Sequence, residues 1–119
     1  MRASLVTTSL QVLTSCCVVL LAVLSLLPAQ DMVRTGLPGT LEHVIAYAGS
    51  AAIAMAAYGA SRGVAHIIGG FWLYAGILEY LQHFSPGRHP SLGDFGASAF
   101  GALCGGLAVA LLCGGWRSG

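Results

Sequence analysis

Four apolar runs follow one another with only short breaks between them: residues 10–27, 41–60, 64–83 and 92–113. A helix rises about 1.5 Å per residue, so roughly 20 residues cross the ~30 Å hydrocarbon core of a bilayer. The first and most apolar run, LQVLTSCCVVLLAVLSLL, reaches roughly 27 Å at that rise. Inside a membrane a single segment can satisfy its own backbone polar groups only as a helix. Composition agrees, with 56% apolar and only 8% charged residues, where a soluble domain carries about 25% charged residues. Five arginines and no lysine give a net charge of +1, which leaves no basic footprint for nucleic acid. The chain is therefore expected to be an all-α membrane protein. Its four transmembrane helices form a small bundle, a single domain over residues 1–119.

The breaks have their own signals. Residues 1–9 read as a short polar lead, and residues 28–40 as a loop broken by Pro28, Gly36, Pro38 and Gly39. Thr40 is the expected N-cap of the second helix. Ser61-Arg62-Gly63 reads as a tight turn, and Pro86-Gly87 as the turn between the third and fourth helices. The first run also has the length of a signal peptide, with Ala29 as cleavage residue. Leu27, two positions earlier, is too large for such a site, so a retained helix is the better reading. Cys16, Cys17, Cys104 and Cys113 all fall in apolar runs without CxxC spacing. They read as small packing residues, and no metal or cofactor is expected. Two small-residue stripes predict close helix contacts. They are Ala48, Ala52, Ala56 and Ala60 on the second helix, and Ala97, Gly101 and Gly105 on the fourth.

An even number of spans places both termini on one side, together with the Ser61–Gly63 turn. Glu42, His43, Glu79, Gln82, Arg88 and Asp94, far apart in sequence, then share the opposite end. Arg2, Arg62 and Arg117 at the terminal side outnumber Arg34 and Arg88 opposite. The excess of positive charge puts the termini in the cytoplasm and the polar cluster outside.

An ionisable residue at the edge of a span is costly, so this cluster is the candidate site. Glu79, Gln82 and His83 stand at i, i+3 and i+4, on one helix face. Ala75 and Gly76 continue that face and leave room beside Glu79. Ser91 and Asp94 have the spacing of a helix start, in which Ser91 caps the Asp94 amide and Asp94 complements the positive helix end. Asp94 and Ser98 are four apart, as are His43 and Tyr47. Glu79 lies one turn below its helix end, where an unpaired carboxylate costs ~2.5 kcal/mol or more. Arg88 is its expected partner, with Gln82 in the same network. Plainer roles are also open: Asp94 as a cap alone, His43 and Tyr47 as interfacial residues, Arg88 as a solvated loop charge.

The run LEYLQHFSPGRHPSLGDFGASAFGALCG, residues 78–105, resembles the signature of VanZ-like membrane proteins. That signature has Glu, Gln three on, a Pro-Gly-Arg turn, then Ser, Asp, Asn and two glycines. Glu79, Gln82, Pro86, Gly87, Arg88, Ser91, Asp94, Gly101 and Gly105 match it, and Ser98 stands in the place of the Asn. Upstream the family shows Asp-Lys, then His and an aromatic residue four later. His43 and Tyr47 match that last pair, while Gly39 and Thr40 replace Asp-Lys. The likeness covers about residues 40–108.

The resemblance implies a small multi-helix protein of the bacterial inner membrane. The family's namesake is associated with low-level resistance to the glycopeptide teicoplanin. Some members are described as phosphotransbutyrylases, but this chain has no phosphate-cradling glycine loop and no nucleophile–base pair by spacing. The cluster His43, Tyr47, Glu79, Gln82, Arg88, Ser91, Asp94 and Ser98 reads as a binding site for a polar or anionic headgroup. A lipid or cell-wall precursor is the natural partner, with Arg88 and the first amides of the fourth helix as anion donors. Two other readings stay open: an intramembrane enzyme acting on a lipid-linked phosphate, with Glu79 or Asp94 as base and His43 as partner, and a structural rim without a ligand.

The arginine count makes a topological prediction. Reporter fusions after Arg62 and after Gly119 should both read cytoplasmic, and a periplasmic signal at either point would overturn the orientation.

Overall fold

The structure, a computed structural model, describes residues 2–27, 36, 38–87, 89 and 91–113. It consists of α1 (Arg2–Leu26), α2 (Gly39–Arg62), α3 (Val64–Leu81) and α4 (Leu92–Cys113), with one 3-10 turn, Gln82–Phe84, prolonging α3. Stretches Leu5–Leu26, Gly39–Gly59, Val64–Phe84 and Leu92–Leu112 are each long and apolar enough to cross a membrane. The described residues contain no strand. The fold is an all-α bundle of four transmembrane helices, and the protein is a multi-pass membrane protein.

α4 occupies the residues expected of it, whereas the other three helices differ at their ends. α1 begins at Arg2, so the stretch expected as a polar lead is helical from its second residue. Short hydroxyl side chains do not interrupt such a helix, because they can bond back to its own carbonyls. Thr14 Oγ1 donates to Leu10 O at 2.8 Å and Ser15 Oγ to Gln11 O at 3.2 Å. α2 starts at Gly39, with Pro38 in the cap position and Thr40 inside the first turn. Pro38 lacks an N–H, which is no loss at a helix start, and its carbonyl accepts the Glu42 amide at 3.1 Å. Ser61 and Arg62 are helical, and Gly63 alone makes the corner into α3. Its φ of 88° and ψ of 157° lie in a region essentially reserved for glycine. Most of the 28–40 loop with Ala29, and also Arg88, Pro90 and the tail with Arg117, lie outside the described residues.

α2 touches each of the other three helices, and its contact with α4 is the most extensive. Gly101 lies directly on the Val44 backbone and Gly105 on the Ala48 backbone, so close that an added Cβ would collide with the carbonyl in each case. Lipid tails are as apolar as leucine, so helices in a membrane associate through such close packing. The alanine stripe expected on α2 holds only in part. Ala48 meets Gly105, but Ala52 is half-buried and Ala56 exposed. Steps of four residues advance about 400°, so the stripe turns by about 80° between Ala48 and Ala56. The buried line of α2 runs instead through Tyr47, Ala51, Ala54 and Met55. Tyr47 meets Phe71 of α3 edge-on, with ring centroids 6.3 Å apart. Trp72 Nε1 donates to Ala99 O at 2.9 Å and ties α3 to α4.

α1 is held differently. Leu5, Val6, Val12, Val19, Leu20 and Val23 are all exposed, as suits a lipid-facing helix, and Leu21 enters the core with Tyr47, Phe71 and Leu78. The last four carbonyls of a helix have no partner within it. Here two receive donors from the α3 end: Gln82 Nε2 to Ser25 O at 2.9 Å, and Ser85 Oγ to Leu26 O at 2.8 Å. The Tyr74 hydroxyl donates to Val18 O further down the same helix.

Gly105→Ala should destabilise the protein by about 1–3 kcal/mol or more, because overpacking against a fixed backbone cannot relax by rotamer change. Gly96→Ala, where a Cβ meets nothing within 4 Å, should be neutral or stabilising by up to about 1 kcal/mol. Thermal unfolding of both variants in detergent checks the contrast, and equal melting temperatures would remove the close α2–α4 contact.

Candidate functional site

The C-terminal ends of α1 and α3 and the N-terminal ends of α2 and α4 meet at one end of the bundle. The sequence there folds around Ser91. Its hydroxyl accepts the Asp94 N–H at 3.0 Å, the expected cap, and so starts α4. Its own N–H donates to Glu79 Oε2, also at 3.0 Å. The carboxylate at the end of α3 is thereby tied to the start of α4. Gly87, at φ 76°, turns the chain between them.

His43 sits in the first turns of α2. Its Nδ1 lies 2.8 Å from Gly39 O. A carbonyl oxygen only accepts, so Nδ1 carries the hydrogen and Nε2 is the outward nitrogen. His43, Glu79 and Asp94 are each half-buried, and each offers one ligand atom within 4.8 Å of the other two. Three helices thus converge on one point. Behind it stands Tyr47, only 3% exposed and within electrostatic reach of Glu79. Ser98, one turn along α4 from Asp94, is 2% exposed.

Among the expected site residues, His43, Glu79, Ser91 and Asp94 are brought together, with Tyr47 and Ser98 beneath. Gln82 sends its amide nitrogen to α1. It is 5% exposed, and its long side chain reaches across the end of the bundle to the last turn of α1. His83 is exposed, with Nδ1 donating to Tyr80 O at 2.9 Å. The room expected beside Gly76 is taken by the Phe95 ring. Arg88, the expected partner of Glu79, lies outside the described residues. The amides of Ser91 and Asp94 are both spent within the protein, the second in the expected cap.

The sequence reading expects no metal site, yet the fold assembles a set of atoms with metal-ligand character. The available signal was positional. His43 and Asp94 each lie within the first turns of a span, Glu79 within the last turn of another, and parity places all three at one end. Spacing along a single helix could not show it, because each ligand comes from a different helix. Comparison with protein-family models, curated proteins and solved structures finds no match to the chain.

Gln82→Ala should leave the Ser25 carbonyl without its donor and cost about 1–3 kcal/mol. It should leave ligand binding at the His43–Glu79–Asp94 cluster unchanged. Calorimetry and binding measurements on the same variant check both halves, and a binding loss larger than the stability loss would return Gln82 to the site.

Proposed function

We propose that this is a VanZ-like membrane protein whose polar end binds a polar or anionic headgroup, from a lipid or a cell-wall precursor. One observation carries the reading: three helices bring His43, Glu79 and Asp94 to one half-buried point at the end of the spans. Polar groups there are expensive, and a protein that needed only a stable bundle would have fewer of them. The donor set favours a headgroup with two kinds of group. Glu79 and Asp94 accept from hydroxyl or amine donors, and Arg88 supplies the cation for a phosphate. The resemblance adds a bacterial inner membrane, an outward-facing site, cytoplasmic termini and a role like that of the teicoplanin-associated namesake. The intramembrane enzyme is the second reading, and the same proximity of His43 to two carboxylates favours it, since imidazole and carboxylate can share proton transfer.

Native mass spectrometry of the protein purified with its lipids tests this. A specific co-purifying anionic lipid should be retained by the parent and lost about tenfold or more in Arg88→Ala, with an intermediate loss in Arg88→Lys, whose ammonium cannot form the bidentate fork. Equal retention by all three would reject the headgroup reading. Turnover of the retained lipid would replace binding by catalysis.

A further inference from the structure

We propose that His43 Nε2, a Glu79 carboxylate oxygen and an Asp94 carboxylate oxygen form a three-ligand site for a divalent transition metal of the zinc or manganese class. The inference goes beyond the headgroup reading and stands on the ligand geometry alone.

The distances come first. Ligands bound at about 2.0–2.2 Å to one ion lie no more than about 4.4 Å apart. One ring nitrogen of His43 and one carboxylate oxygen each of Glu79 and Asp94 already lie within 4.8 Å of one another. Rotamer adjustments of well under about 1 Å per side chain would close the site, with no movement of a helix.

The orientation of His43 is the second observation. A metal-binding imidazole usually donates its other ring N–H to a carbonyl or carboxylate, which fixes its tautomer and aim. The Nδ1–H of His43 is held by Gly39 O at 2.8 Å, and that oxygen is not part of the cluster. Nε2 is then the ligating atom. Glu79 has similar support, because the Ser91 amide holds Oε2 at 3.0 Å and anchors the carboxyl group. Asp94 is placed by the cap that starts α4. All three ligands stand on helices, where positions are better fixed than on loops.

The donor set then selects the metal. One imidazole with two carboxylates suits zinc or manganese. Calcium takes six to eight oxygens, and magnesium keeps a near-octahedral shell of oxygens. No cysteine belongs to the set, so soft-metal sites are a poor fit. The charges also balance: two carboxylates, a neutral imidazole and a dication sum to zero. Three protein ligands leave coordination positions open, which is the arrangement of sites where the metal takes an exogenous oxygen. If the headgroup reading holds, a phosphate oxygen can fill that position, and the metal explains how an acid-lined cluster accepts an anion.

The test uses the full chain in detergent, stripped with EDTA and re-purified. Zn²⁺ and Mn²⁺ are titrated separately, and bound metal is measured by inductively coupled plasma mass spectrometry. The parent should retain one equivalent of at least one of the two metals after gel filtration. His43→Gln and Asp94→Asn should each weaken binding at least tenfold. His66→Ala and His83→Ala, which alter other exposed histidines, should bind as the parent does. Co²⁺ provides a readout that needs no variant: the parent should show a visible ligand-field band that Zn²⁺ or Mn²⁺ displaces at one equivalent. A parent without that band and without retained metal overturns the proposal, and so does binding that is equal in the parent and in His43→Gln. Lipid retention measured with and without EDTA separates the two ideas. Metal bound without any lipid rejects the headgroup reading and keeps the metal site, whereas lipid retained by a chain that never binds metal does the reverse.

Discussion

The bundle depends on two backbones lying against each other. Gly101 rests on Val44 and Gly105 on Ala48, so α2 and α4 run in the same direction with their registers locked. Neither contact involves a side chain on α4, and the pair cannot slide by a residue without bringing the Cβ of Phe100 or Ala102 against a carbonyl. The lock sets the height of His43 against the start of α4. His43 then turns back toward Gly39, which brings its ring to the level from which it can reach Asp94. α3 enters the same arrangement through Trp72, bonded to Ala99 on α4, and through Glu79, bonded to Ser91. The polar end is thus a consequence of how the apolar middle packs.

Much of this was legible in the sequence, for identifiable reasons. The four spans followed from length and hydropathy, because a backbone in lipid has few alternatives to a helix. Ser91 as the cap of α4 followed from its spacing to Asp94, and Gly101 and Gly105 from the small-residue pattern. The gathering of His43, Glu79 and Asp94 at one end followed from counting spans. What was hidden lay in rotation about the helix axes. In a soluble helix the buried face is marked by an apolar stripe. In lipid the outer face is as apolar as the inner one, so Ala56 and Ala51 look alike in sequence although one faces out and the other is buried. Gln82 escaped for a related reason. Its helical phase placed it near Glu79, and spacing along α3 could not show that the long side chain reaches the end of α1.

The site shows how a sparse polar inventory can serve several purposes. Ser91 uses its hydroxyl to begin a helix and its amide to position a carboxylate. The amides of Ser91 and Asp94 are therefore both consumed in building the site. An anion at this end must then find its donors among the other groups around the cluster.

α1 is gripped in a way that separates its sequence from its position. Tyr74, Gln82 and Ser85 all bond to its carbonyl oxygens, and every helix of any composition presents those same atoms. Two of the three lie in the final turn, where carbonyls are left over by the helix itself. The rest of the bundle therefore senses where this helix stops, and away from Leu21 and Thr14 it depends little on which apolar residues α1 carries. The lipid-facing residues of the first span are free to drift, whereas a change in its length would carry the terminal oxygens away from Gln82 and Ser85 and undock it.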